Sequence, residues 1–100
     1  MRMRVIVTEQ DWMSGNPERS GSCPIALAIR RMFPRMDVSV GRSYWFLSPP
    51  NDLKCWWGVL PPAAAAYVKA FDNPATRNAL CVPITDLGEF VDELSNDRRA

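Results

Sequence analysis

The 100-residue chain contains no histidine. It therefore has no Ser-His-Asp triad, no Cys-His pair and no imidazole metal ligand, and none of its side chains titrates near neutrality unless its pKa is perturbed. Long apolar runs are also missing, and none approaches the roughly 20 residues needed to cross a bilayer. These absences predict a protein that is not an enzyme, binds no metal or other cofactor, and does not span a membrane.

Cysteine is scarce and scattered, with Cys23, Cys55 and Cys81 far apart in the sequence. An odd, unclustered set fits neither a disulfide framework nor a CxxC metal site. Reduced thiols in a cytoplasm are the expected state. Cys23 precedes a predicted helix, where a thiol pKa can be lowered. With no histidine to act as a base, a nucleophilic role for Cys23 is disfavoured.

The composition is that of a folded protein, with 47% hydrophobic and 23% charged residues. It predicts a single α+β domain over residues 1–100. A net charge of +1 argues against an acidic DNA mimic and against a chain that coats nucleic acid through charge alone. Four tryptophans are many for this length, and tryptophan is enriched at binding hot spots. The composition therefore favours a recognition protein.

Local patterns predict the elements of the first third of the chain. Alternating apolar residues predict a strand over residues 2–8. Thr8 and Asp11 have the spacing of a capping box for a single turn that runs through Trp12. Residues 23–33 have helical apolar spacing, with a proline suited to the first helical position, and the proline that follows ends this helix.

In the middle of the chain, the residue pattern predicts strands separated by turns. The strand at residues 38–40 either continues to Leu47 with a kink at Gly41 or turns there into a hairpin. A further strand covers residues 53–60 and leads into a helix over residues 61–71. One more strand, interrupted by a proline, is predicted at residues 79–84.

The last segment has helical spacing. Leu87, Phe90, Val91 and Leu94 recur at i, i+3, i+4 and i+7, which predicts a short amphipathic C-terminal helix. The full order is then β-α-β-β-α-β followed by this helix. It predicts a two-layer α+β sandwich with a ferredoxin-like pattern, in which the first and third strands pair at the centre of one sheet.

Three tryptophans are candidates for contact with a partner protein: Trp12, Trp45 and Trp57. Because adjacent strand residues face opposite ways, one of Trp56 and Trp57 is expected in the core and the other outside. The outer ring either lies under a helix or anchors a partner. Trp12 has a similar alternative, in which it fastens the first turn to the core.

Arginines form a second group of candidates, because Arg30, Arg31, Arg35 and Arg42 are expected to form a local basic patch between the end of the first helix and the strand that follows. A basic patch beside aromatic rings would suit single-stranded nucleic acid. The near-neutral net charge and the missing Lys/Arg-Gly-aromatic-Gly pattern weigh against this. The polar loop at residues 14–22 is a further candidate binding loop without a P-loop signature.

Three runs carry a resemblance to known proteins: CPIALAIRRMFP, VSVGRSYWF and LPPAAAAYVKAFD. They resemble a group of small proteins from bacteriophages and prophages, over about residues 2–86. The resemblance carries over no catalytic residue. It implies, by analogy with anti-CRISPR and other anti-defence inhibitors, a protein that binds a bacterial host protein or a defence ribonucleoprotein complex in the cytoplasm of the host cell.

Three functions follow from these features. The leading one is inhibition of a bacterial defence complex by protein–protein contact, without catalysis. The second is accessory binding of single-stranded nucleic acid through the arginines and strand aromatics. The third is homo-oligomerisation through the C-terminal helix, and the choice between monomer and homodimer stays open.

Overall fold

The computed structural model describes residues 2–17, 19–50, 55–75 and 85–92. Helices and strands are mixed along the chain, which confirms the predicted α+β class. In chain order the elements are β1 (Arg2–Val7), α1 (Glu9–Ser14), α2 (Pro24–Met32), β2 (Asp37–Val40), β3 (Tyr44–Ser48), β4 (Trp56–Val59), α3 (Pro62–Asp72) and β5 (Thr85–Val91).

The described strands form two antiparallel sheets. One pairs β1 with β5, and the other has the order β2-β3-β4. Helix α2 packs against both β1 and β2, so it joins the two sheets, and β4 lies close to β5. The single sheet with the first and third strands at its centre is not seen in the described residues, and the ferredoxin-like order is not confirmed. The strand predicted at residues 79–84 lies outside the described residues.

The predicted capping box at Thr8 is confirmed. The Thr8 Oγ1 accepts a hydrogen bond from the Asp11 backbone N–H at 3.2 Å, and the Asp11 Oδ2 accepts one from the Thr8 backbone N–H at 2.9 Å. The two bonds pair backbone donors that the first turn of a helix leaves unpaired. They explain how a helix of only six residues begins directly after β1.

The other local signals of the first half also hold. Helix α2 begins with Pro24 behind an N-cap at Cys23, and it ends at Met32, just before Pro34. Of the two arrangements left open at Gly41, the hairpin is observed, because β2 and β3 pair in antiparallel register with Val40 opposite Trp45.

The predicted C-terminal helix is wrong within the described residues, because residues 85–91 form strand β5. The pairing shifts from Arg4↔Glu89 to Ile6↔Asp86, so β5 carries one extra residue and forms a β-bulge. The bulge turns both Leu87 and Phe90 inward, three positions apart. Two inward residues three positions apart are also typical of a helix, which explains the wrong prediction. Because these residues form a strand, the described part of the chain lacks the amphipathic helix on which homo-oligomerisation was predicted to depend.

The bulge requires glycine at position 88. Gly88 has φ +84°, and its N–H donates to the Asp86 Oδ1 at 2.9 Å. A Cβ there would meet no atom within 4 Å, so the cost of a side chain is conformational. Gly88→Ala is expected to lower the free energy of unfolding by about 1–2 kcal/mol, measured by urea denaturation. Gly21→Ala, where φ is not positive, is the control and should change little. Equal losses in both variants would contradict this assignment.

The core lies between the sheets and the helices. Its largest fully buried side chains include Trp45, Phe71 and Phe90. The Trp12 ring meets Tyr67 and Phe71 of α3 edge-on, with ring centroids 5.3 and 5.0 Å away. Trp12 therefore fastens α1 to α3, the structural alternative considered for this residue.

Candidate functional site

The two sheets differ in the chemistry of their outer faces. On the β1–β5 sheet, Arg2 pairs with Glu89 at 3.4 Å, and the Arg4 Nε donates to the Asp86 Oδ2 at 2.9 Å. Hydrogen bonding from Arg4 and from the Gly88 backbone lowers the pKa of Asp86. Opposite charges across the strands make this a solvated face.

The outer face of the β2–β3–β4 sheet carries an apolar cluster. Tyr44 and Phe46 of β3 and Trp57 and Val59 of β4 point away from the core, and we call these four residues the aromatic face. Their exposed fractions are 47%, 41%, 41% and 53%. Isolated exposed apolar residues are ordinary, but a contiguous group of them marks an interaction site.

The strand register brings these four side chains together. Phe46 lies directly opposite Trp57, and Tyr44 lies opposite Val59. The rings of Tyr44 and Trp57 meet diagonally, with centroids 6.0 Å apart and planes tilted by 56°. With Cys55, the three rings line a shallow depression of about 490 Å³. Side chains held on paired strands form a preorganised surface.

The described strand positions that share this outer face carry little charge. The other outward positions of the three described strands are Asp37, Ser39 and Ser48, and Cys55 precedes β4. Among these described positions there is no arginine or lysine. A surface that binds nucleic acid needs cations beside its stacking rings to neutralise phosphates. The aromatic face therefore suits a protein surface better than a nucleic acid.

Two of the three predicted tryptophan anchors are not on the surface. Trp45 is fully buried, and Trp12 is 7% exposed. Trp45 faces inward because it alternates with Tyr44 and Phe46 along β3, and Trp12 is held against α3. Only Trp57 of the predicted anchors lies on the aromatic face. Trp56 is half-buried and packs against the core, so Trp57 is the more exposed of the pair.

The predicted arginine patch is split between different partners. Arg30 donates to the backbone oxygen of Gly21 at 2.7 Å. Arg31 forms an ion pair with the Asp11 Oδ1 at 2.7 Å and donates to the Ile6 backbone oxygen at 3.1 Å. These two side chains hold α2 to the preceding loop and to α1 and β1. Arg35 and Arg42 are exposed.

Sequence reasoning missed Tyr44, Phe46 and Val59 as surface residues. The signal was present in the segment YWFLS, where alternate residues of a strand face opposite sides. If Tyr44 and Phe46 share the outer face, Trp45 must face the core. Trp45 was predicted to contact a partner only because it is a tryptophan.

The surroundings of Cys23, the cysteine considered above as a nucleophile, indicate a structural role. Cys23 is buried, and its Sγ accepts a hydrogen bond from the Ala26 N–H at 3.5 Å. Burial raises the pKa of this thiol, which is the opposite of what activates a cysteine. Burial also raises the pKa of the Tyr67 phenol. Within the described ranges, no group of three or more Cys, Asp or Glu side chains is placed to hold a metal ion.

No helix in the described part of the chain is both long enough and apolar enough to cross a membrane. No family model matches the chain, and no curated protein or solved structure matches it.

Proposed function

We propose that this chain is a non-enzymatic binding protein that docks onto a partner protein through the aromatic face. The main support for this proposal is the difference between the outer faces of the two sheets. One outer face carries two cross-strand ion pairs, while the other exposes Tyr44, Phe46 and Trp57 around one depression. Exposing aromatic rings to water costs free energy. Binding of a partner to the aromatic face would offset this cost by removing the rings from water.

The aromatic face offers apolar surface that a partner can bury. Its three rings and one valine are 41–53% exposed, and burial of apolar surface is worth about 25 cal/mol per Å². Tyrosine and tryptophan anchors lose little conformational entropy on binding. The register of β3 and β4 fixes these side chains before binding, which lowers the cost of association.

The partner class comes from the sequence resemblance to small bacteriophage and prophage proteins. By that analogy, the partner is a protein of a bacterial host, within a defence complex that the chain inhibits in the host cytoplasm. Single-stranded nucleic acid is the competing partner. It is disfavoured because the described outer positions of the three strands hold rings without cations.

The test compares two exposed apolar residues on different sheets. Trp57→Ser changes the aromatic face, and Ile6→Ser changes the outer face of β1, where Ile6 is 42% exposed against 41% for Trp57. Each purified protein is used to capture partners from lysates of bacteria that carry defence systems, and the Kd of a recovered stoichiometric partner is measured. Trp57→Ser is expected to weaken binding at least about 30-fold, as at a hot spot.

Ile6→Ser should leave the Kd within about threefold of the parent value, because it lies outside the proposed interface. Failure to recover a stoichiometric partner from any such host would count against the proposal. So would a partner that both variants bind equally well. Fluorescent single-stranded DNA and RNA are tested in parallel at low salt. Tight binding that weakens steeply with added salt would favour the nucleic-acid function instead.

A further inference from the structure

A second feature lies away from the aromatic face, in a cleft between the loop before α2, the β2–β3 turn and α3. Its first part has a volume of about 360 Å³ and is lined by residues that include Arg19, Ser20, Val40 and Arg42. An adjoining part of about 460 Å³ shares Arg42 and Val68 and adds Lys69. We call both parts together the α3 cleft. None of its lining residues belongs to the aromatic face.

The charge of the α3 cleft is positive. Arg19, Arg42 and Lys69 line it, against the single carboxylate of Asp72. Elsewhere on the described part of the chain, ion pairs engage Arg2, Arg4 and Arg31. The lining of the α3 cleft brings two guanidinium groups, those of Arg19 and Arg42, to one cavity. Their planar arrays of N–H donors match phosphate and carboxylate oxygens in pairs.

Part of the cleft wall is apolar. Val40 and Val68 are buried core residues that reach its lining, and Ala65 lies beside them. A fully hydrated inorganic ion gains nothing from contact with apolar side chains. An anion that carries an aromatic or aliphatic group would place its charge at the arginines and its apolar part on the valines.

The arginine side of the cleft is held in place. The Val40 N–H donates to the Ser20 backbone oxygen at 2.8 Å, and Arg30 holds the Gly21 oxygen at 2.7 Å. These bonds fix the segment that follows Arg19 against β2. Arg42 is placed by the turn in which the Gly41 N–H donates to the Tyr44 oxygen at 2.8 Å. A fixed backbone under both arginines lowers the entropy lost when an anion binds.

We infer that the α3 cleft is a binding site for a small amphiphilic oxyanion, a phosphate or carboxylate on an apolar body. Arg19 and Arg42 bind the oxyanion, and Val40 and Val68 contact the body. The site stands independently of the aromatic face and of any partner protein bound there.

The test follows backbone amide NMR signals of the full chain during titration with phenyl phosphate, benzoate and inorganic phosphate. Shifts are expected at Ser20, Gly41 and Val68, with phenyl phosphate or benzoate binding at least about fivefold more tightly than inorganic phosphate because only they reach the valines. The stronger of the two organic anions identifies the oxyanion. The double variant R19Q/R42Q is expected to weaken binding more than about tenfold, because it removes two charged hydrogen-bonding groups.

Arg35→Gln is the matched control, since Arg35 is exposed and does not line the cleft. It should leave the affinity unchanged. If R19Q/R42Q loses its folded spectrum, Lys69→Gln replaces it and is expected to weaken binding by about threefold. No shifts at millimolar concentrations of any of the three anions, shifts centred elsewhere, or equal weakening by Arg35→Gln would overturn the inference.

Discussion

Gly58→Ala is expected to lower the free energy of unfolding by about 3 kcal/mol or more. A Cβ at position 58 would lie 2.4 Å from the Val91 backbone oxygen and 2.8 Å from the Trp45 Nε1. The first contact is with the backbone of β5, which cannot move aside as the end of a flexible side chain can. Accommodating the methyl group would push apart the two sheets where β4 meets β5. Thermal denaturation should show a fall in Tm of more than about 10 °C.

The control for this prediction is Gly41→Ala, because a Cβ there would be 3.6 Å from its nearest neighbour, the Tyr44 oxygen. That distance is ordinary van der Waals contact, so the Tm should change by no more than a few degrees. A Gly58→Ala protein as stable as this control would mean that β5 does not approach β4 as described.

Trp45→Ala is expected to lower the free energy of unfolding by about 3–5 kcal/mol, a large share of the stability of a domain of this size. The side chain is fully buried and packs beside Phe90, with ring centroids 6.2 Å apart. Removing it leaves a cavity at the point where both sheets meet. Urea denaturation followed by circular dichroism measures the loss.

The same substitution at Trp57 provides the contrast. Trp57 is on the outer face, so Trp57→Ala should change the free energy of unfolding by at most about 1 kcal/mol while abolishing tight partner binding. If Trp57→Ala destabilised the fold as much as Trp45→Ala, the aromatic face would be part of the core and the proposed interface would fail.

Local chemistry made several parts of this fold predictable from sequence. The side-chain spacing of Thr8 and Asp11 fixes the start of α1, and Pro24 fixes the start of α2, because each signal depends on neighbouring residues alone. The hairpin at Gly41 was one of two alternatives, and the antiparallel pairing of β2 with β3 decides between them.

The errors arose where partners distant in sequence decide the outcome. The segment around Leu87 and Phe90 has helical spacing, but pairing with β1 and a bulge at Gly88 make it a strand. The division into two sheets depends on which strands pair, and a single sequence carries no direct signal for that. Of the four residues of the aromatic face, only Trp57 was predicted as a contact residue. Tyr44 and Phe46 follow only when the alternation of side chains along β3 is applied.

Under the proposed function, the unequal outer faces of the two sheets would also limit the number of partners that one molecule binds. A binding protein with exposed aromatic rings on two opposite faces could hold two partner molecules at once and link them into open chains. Here the rings lie on one sheet, and the other sheet presents Arg2, Arg4, Asp86 and Glu89 to water. Each copy would then cap one target site and leave a hydrated, charge-paired exterior, so the expected product is a discrete complex of fixed stoichiometry.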